Sequence, residues 1–142
     1  ELGEPRGDLT VKSSNLTGIN IEGSIIPKII DEIPILSLAA CFASGKTVIK
    51  DAQELRVKES DRIKATVQGL FKLGADISET EDGMIIKNSP NLQGSEVSSH
   101  GDHRIAMMLG ISGLLTKGQT IITNAEAANI SYPNFWDQID NF

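Results

Sequence analysis

Two segments of this chain are apolar on nearly every side at helical spacing, and they limit the possible folds more than any other feature. Residues 31–44 carry Ile33, Ile35, Leu36, Leu38, Ala39, Phe42 and Ala43, and residues 102–116 carry Ile105, Ala106, Met107, Met108, Leu109, Ile111, Leu114 and Leu115. A surface helix needs only one apolar stripe, so helices like these must be covered on most faces. Pro34 fits the first turn of the earlier helix, where its missing N–H costs nothing, and Gly45 lies just past its end. In a chain of 142 residues the cover must come from the segments between and around them.

Those segments read as strands and one amphipathic helix. Residues 9–13 and 19–22 are short strand candidates separated by the polar Ser14-Asn15-Leu16-Thr17-Gly18, and residues 46–51 alternate as a strand. Residues 59–73 turn helical, with Ile63, Val67, Leu70 and Phe71 forming one stripe and Gly74 as the stop. Residues 75–79 and 84–87 form a hairpin around Thr80-Glu81-Asp82-Gly83, whose Asp-Gly pair is a strong turn signal. The pattern then recurs, with strand 96–99, helix 102–116, strand 119–123, and after Pro133 a short amphipathic helix carrying Phe135, Trp136 and Ile139. This is a repeated α/β unit with helices inside and strands outside. The opening Glu1-Leu2-Gly3-Glu4-Pro5-Arg6-Gly7-Asp8 carries turn chemistry directly before a strand, as in a fragment whose upstream sequence lies elsewhere.

Charge narrows the classes of partner. Nineteen acidic side chains against thirteen basic ones give a net charge of −6, so no global positive field draws nucleic acid or an anionic membrane. Any anion site must be local. No apolar run is long enough to span a bilayer, and the expected location is the cytoplasm. The single Cys41 sits in an apolar run without an electropositive neighbour and reads as a buried, inert thiol. Two histidines and no cysteine pair give no metal-ligand spacing, and no glycine-rich phosphate loop of either nucleotide-binding type is present.

Charge is concentrated at two places, Arg56-Val57-Lys58-Glu59-Ser60-Asp61-Arg62 and Gly101-Asp102-His103-Arg104. Each puts an acid and an arginine in the first turn of a helix. Asp61 and Asp102 suit helix caps paired at the surface with Arg62 and Arg104. Equally, free N–H groups, the positive helix end and a planar guanidinium suit a phosphate or carboxylate. The repetition of the pattern favours an anion pocket made by the two helix starts. Asp31 places a third acid at the mouth of an apolar helix. His103 fits a structural role or a donor to a substrate oxygen, and His100 has no evident partner.

These motifs, with Asp31 ahead of an Ala-rich helix and the closing Ser131-Tyr132-Pro133-Asn134-Phe135, resemble the 3-phosphoshikimate 1-carboxyvinyltransferase (EPSP synthase) family in order and spacing. The resemblance implies an inside-out α/β barrel of repeated βαβαββ units. Residues 1–142 would be the C-terminal part of one enolpyruvyl transferase domain, with the upstream part of that domain and the other domain absent. It implies transfer of the enolpyruvyl group of phosphoenolpyruvate to the 5-hydroxyl of shikimate 3-phosphate, with release of phosphate and no cofactor. By motif position, Asp31 would hold and deprotonate that hydroxyl, and Glu59 would exchange a proton with the methylene carbon of phosphoenolpyruvate. Lys58 would contact shikimate 3-phosphate, Arg62 and Arg104 would clamp phosphoenolpyruvate, and His103 would support the intermediate. Two positions depart from the pattern, Glu54 where some members carry asparagine and Ile130 where some carry a phosphate-binding lysine. The competing readings are the sister enzyme acting on a UDP-sugar and a non-catalytic α/β binding module.

Overall fold

A computed structural model describes Gly3 and residues 6–141, so half of the expected opening turn lies outside the described residues. The strands are β1 (Asn20–Ile21), β2 (Lys46–Ile49), β3 (Asp76–Glu79), β4 (Met84–Lys87), β5 (Glu96–Ser98) and β6 (Ile121–Thr123). The helices are α1 (Ile26–Ile29), α2 (Ile33–Cys41), α3 (Arg62–Lys72), α4 (His103–Leu115) and α5 (Phe135–Ile139). The first sheet runs β1-β2-β4-β3, with β1 parallel to β2 and the β3–β4 hairpin antiparallel beside it. The second pairs β5 with β6 in parallel. Helices α2, α3 and α4 touch one another pairwise, and each also touches a strand, which is the expected layering of helices within sheets.

Burial explains the apolar sequences. Ile33, Leu38, Ile63, Leu70, Ile105 and Leu109 are almost completely enclosed where the three helices meet. The two serines inside the apolar helices are also fully buried, and each is satisfied by its own helix. Ser37 Oγ donates to the Ile33 carbonyl and Ser112 Oγ to the Leu109 carbonyl, both at 2.7 Å. Cys41 is a buried free thiol whose pKa is pushed up to about 11 by burial, in keeping with an inert group.

The internal repeat is visible at the level of single hydrogen bonds. Gly18 N–H donates to the Ser44 carbonyl at 2.7 Å while Ser44 N–H donates to the Leu16 carbonyl at 2.9 Å. In the second unit Gly94 N–H donates to Lys117 at 2.7 Å and Lys117 N–H to Leu92 at 3.0 Å. Ser44 and Lys117 are each followed by a glycine with left-handed φ, Gly45 and Gly118, both at 86°. Asp51 and Asn124, each just after the second strand of its unit, share a φ of 57°. The sequence carries the same echo as Asn15-Leu16-Thr17-Gly18 and Asn91-Leu92-Gln93-Gly94.

The entry glycines are required by contact. A Cβ on Gly18 would lie 2.3 Å from the Lys46 carbonyl oxygen, and one on Gly94 would lie 2.2 Å from that of Gln119. Backbone cannot yield as a flexible side chain can. Gly94→Ala is therefore expected to cost about 1–3 kcal/mol or more in a urea unfolding experiment. Gly113→Ala, where the nearest neighbour lies 3.8 Å away on a helix, should be neutral or stabilising by about 0.5–1 kcal/mol. Equal effects at the two sites would remove the close-approach argument.

Several expectations are corrected by the structure. Residues 9–13 form no strand, and Leu9 and Val11 are exposed. The helix expected over 31–44 starts as a 3-10 turn, Ile30–Glu32, so Asp31 lies in that turn and caps nothing. Phe71 lies off the buried stripe of α3 and is 65% exposed. Short 3-10 segments at Gln53–Val57 and Ala125–Ile130 had no periodicity to announce them.

Candidate active site

The starts of α3 and α4 are capped alike. Asp61 accepts the Lys64 N–H at 3.0 Å and Asp102 accepts the Arg104 N–H at 2.9 Å, each satisfying a donor that the helix leaves free. Asp102 also binds its neighbour helix. Its other oxygen accepts Arg62 Nε at 2.8 Å and Ser60 Oγ at 3.0 Å. The two helix starts are thereby tied together by one carboxylate.

Arg62 is the centre of the arrangement. Its side chain is 2% exposed, and its guanidinium points three ways, to Asp102, to Asp31 at 2.9 Å and to Glu59 at 2.5 Å. Arg104 reaches the second oxygen of Asp31 at 3.3 Å and lies 3.6 Å from Glu32. Asp31 thus bridges the two arginines. Its position is set by the 3-10 turn leading into α2, which Ile33 and Pro34 anchor in the core.

Burial alone would lower the Arg62 pKa, but the hydrogen bond and charge of Asp102, with Glu59 and Asp31, hold it above its ordinary value. Burial likewise pushes Asp102 upward, and the Arg62 guanidinium, the Arg104 N–H and Ser60 reverse this and leave it below the usual carboxylate range. A carboxylate depressed in the folded state contributes stability that is full above its unfolded pKa, about 3.9, and is lost as pH falls below it toward the folded value. Asp102→Asn should therefore lose stability at neutral pH and flatten the acid limb of the stability curve. The check is urea midpoints from pH 7 to pH 3, and parallel curves for the two proteins would contradict it.

Of the residues singled out from sequence, Asp31, Glu59, Arg62 and Arg104 come together in this network. Lys58 does not join it, because its ammonium is held by Glu54 at 2.5 Å. His103 is the first residue of α4, half-buried, and its imidazole takes no part in the side-chain hydrogen bonds among the described residues. Arg62 is not the exposed partner of a capping acid that the cap reading requires. Asp102 was legible as a cap but not as the partner of Arg62. The available signal was that a cap on a helix apolar all round is itself enclosed and needs a cation.

The balance of charge limits what the network can do unaided. Among the described residues, Asp31, Glu32, Glu59 and Asp102 pair with no side-chain cation other than Arg62 and Arg104. A bound anion would have to take a guanidinium from its carboxylate or bring further cations with it. Arg104, with the longer contacts and the more exposed side chain, is the easier of the two to release.

Inward helices, outer sheets and two arginine-bearing helix starts joined by carboxylates define part of an enolpyruvyl transferase-like α/β domain. Residues 3–139 match the family described as EPSP synthase (3-phosphoshikimate 1-carboxyvinyltransferase), and the chain belongs to that family. It is 58% identical over 137 residues to the 3-phosphoshikimate 1-carboxyvinyltransferase of Roseiflexus castenholzii (strain DSM 13941 / HLO8), covering 96% of this chain and 32% of the relative. Against the enzyme of the same name from Thermoanaerobacter sp. (strain X514) it is 57% identical, with the same coverage. A solved EPSP synthase structure from Acinetobacter baumannii superposes with a TM-score of 0.83 at 43% identity, covering 89% of this chain and 30% of that one. The chain spans about a third of the length of these relatives. No helix among the described residues is long and apolar enough to cross a membrane.

Proposed function

We propose that this chain supplies one face of the active site of a longer, cytoplasmic enzyme that transfers the enolpyruvyl group of phosphoenolpyruvate to the 5-hydroxyl of shikimate 3-phosphate. The observation that carries this reading is the network in which Arg62 and Arg104 share Asp31 while Arg62 also holds Glu59. It gathers two carboxylates able to move protons and two guanidiniums able to hold anions.

In the first half of the reaction, Asp31 takes the proton of the 5-hydroxyl as its oxygen bonds to the central carbon of phosphoenolpyruvate. Glu59 delivers a proton to the methylene carbon, giving the tetrahedral adduct. In the second half the C–O bond to phosphate breaks, the departing phosphate takes up the proton held by Asp31, Glu59 recovers a proton from the methyl group, and the double bond re-forms. Arg104 turns from Asp31 and Glu32 to the anionic donor. Arg62, enclosed by its carboxylates, orients Asp31 and Glu59 and adds positive charge beside the donor. Lys58 leaves Glu54 to meet shikimate 3-phosphate, and His103 stands by the intermediate. No cofactor is required.

The names of the relatives favour this acceptor over a UDP-sugar, and an ordered three-carboxylate cluster around a buried arginine exceeds what a passive binding module needs. The test is phosphate release by the full-length protein from phosphoenolpyruvate with shikimate 3-phosphate or with UDP-N-acetylglucosamine as acceptor. Saturable release with the first acceptor supports the reading, and release only with the second, or with neither, overturns it.

The 142-residue chain by itself should show no detectable transfer. Two anionic substrates must be held in register by groups that the remaining two thirds of the protein would provide, and positioning contributes about 7–11 kcal/mol to such a barrier. Turnover by the isolated chain near that of the full-length enzyme would contradict this.

A further inference from the structure

We infer that Arg56, which touches none of the groups placed in the chemistry above, is a positioning residue that clamps the loop bearing Lys58 and Glu59. The loop leaves the 3-10 segment Gln53–Val57 and enters α3 at its cap, Asp61. Arg56 stands at one end of it and reaches the other, donating through Nη1 to Asp61 at 2.9 Å. A single guanidinium therefore spans the four residues between Arg56 and Asp61, Val57 to Ser60, and closes the base of the loop they contain.

The same guanidinium is fastened to the turn of the β3–β4 hairpin. Nε donates to the Glu81 carbonyl at 2.8 Å, Nη2 to the Thr80 carbonyl at 2.6 Å, and Nη1 to the Glu79 carboxylate at 2.8 Å. The turn also grips the other end of the 3-10 segment. Asp82 accepts the Asp51 N–H at 2.8 Å on its carboxylate and the Ala52 N–H at 2.7 Å on its carbonyl. That carboxylate is held below its ordinary pKa first of all by the Asp51 N–H, so the grip is ionised at neutral pH.

The hairpin thus forms a bracket around the segment from which the active-site loop springs, and Arg56 is its only side chain that binds both the bracket and the cap of α3. Its four bonds leave in directions set by the planar fork. An ammonium keeps the charge and cannot meet two carbonyls and two carboxylates at once. The position has no need of a buried cation, since Arg56 and its carboxylate partner Asp61 are both partly open to water and Glu79 is exposed. What it offers is placement of the loop, and misplacement of a reacting group by about 1 Å costs on the order of 10² in rate.

This inference rests on the proposed transfer reaction, and the experiment separates the two. In the full-length enzyme, Arg56→Lys is expected to lower kcat per folded molecule about tenfold to a hundredfold, with KM for both substrates within about threefold. A residue that only stabilised the fold would change the fraction of folded enzyme and leave kcat per folded molecule intact. Hydrogen–deuterium exchange of residues 57–61 should speed up in the variant while the interior of α3 keeps its protection. If the parent enzyme has no turnover with these substrates, the reaction assignment fails, and the exchange measurement still decides the clamp. Should Arg56→Lys not fold, Glu79→Gln removes one carboxylate and keeps both carbonyl bonds, with an expected fall in kcat of about two- to fivefold. A folded Arg56→Lys with kcat within twofold of the parent, or unchanged exchange in the loop, overturns the inference. So does an unchanged kcat in Glu79→Gln where that variant is the one measured.

Discussion

In the full-length enzyme, Glu59→Gln and Asp31→Asn are each expected to lower kcat by about 10²–10⁴-fold with almost no change in melting temperature. Each amide keeps the shape of the acid and loses the ability to exchange a proton. Stability should respond little, because both carboxylates are more than two-fifths exposed and the buried Arg62 keeps Asp102 as its enclosed counter-charge when either is neutralised. The separation of the two effects is the informative part. A large fall in stability with unchanged kcat per folded molecule would place the residue in the scaffold, and kcat within twofold of the parent would remove it from proton transfer.

The second large effect is on stability and belongs to Arg62. Arg62→Met keeps the volume and leaves Asp102, 0% exposed at its side chain, as a buried charge without its cation. Removing one partner of such a pair costs about 3–5 kcal/mol, measurable as a shift of the denaturant midpoint. Arg62→Met combined with Asp102→Leu should recover most of that loss, apart from about 1 kcal/mol for the missing cap of α4. If Arg62→Met alone stays within about 1 kcal/mol of the parent, Asp102 is not the buried partner described here. The Arg62 pKa is raised, so its stabilising contribution is complete at neutral pH and would be lost only at alkaline pH beyond the working range.

The contrast between what was readable in the sequence and what was not follows physical lines. Helices α2 and α4 were legible because apolar residues on every face have one consequence, and Pro34, Gly45 and Gly74 mark ends for local steric reasons. The β3–β4 hairpin was legible from its turn. The strand expected at 9–13 was not formed, since a short alternating run becomes a strand only where another backbone lies alongside, and none does among the described residues. β1 has two residues and survives because β2 pairs with it. The site divided in the same way. Charged helix starts announced Arg62 and Arg104, but the burial of Arg62 depends on segments that meet only in three dimensions, while the local Lys58–Glu54 pair, four residues apart, follows from a 3-10 segment at 53–57 that had no periodicity to show it. The family resemblance named the candidate residues. It did not say that in this structure the arginines are already taken by the chain's own acids.

The ion cluster also bears on how the native state is reached and kept. It joins position 31, positions 59–62 and positions 102–104, so no local segment repays the dehydration of the Arg62 guanidinium before all three have met. Contacts of such wide separation along the chain close late, after the helices and the hairpin have formed from nearby residues. Their strength therefore falls mostly on the barrier to leaving the folded state and little on the rate of arriving there. The centre that orders the proposed chemistry is then expected to serve as a kinetic latch, with the enclosed Arg62–Asp102 pair setting the lifetime of the fold as much as its depth.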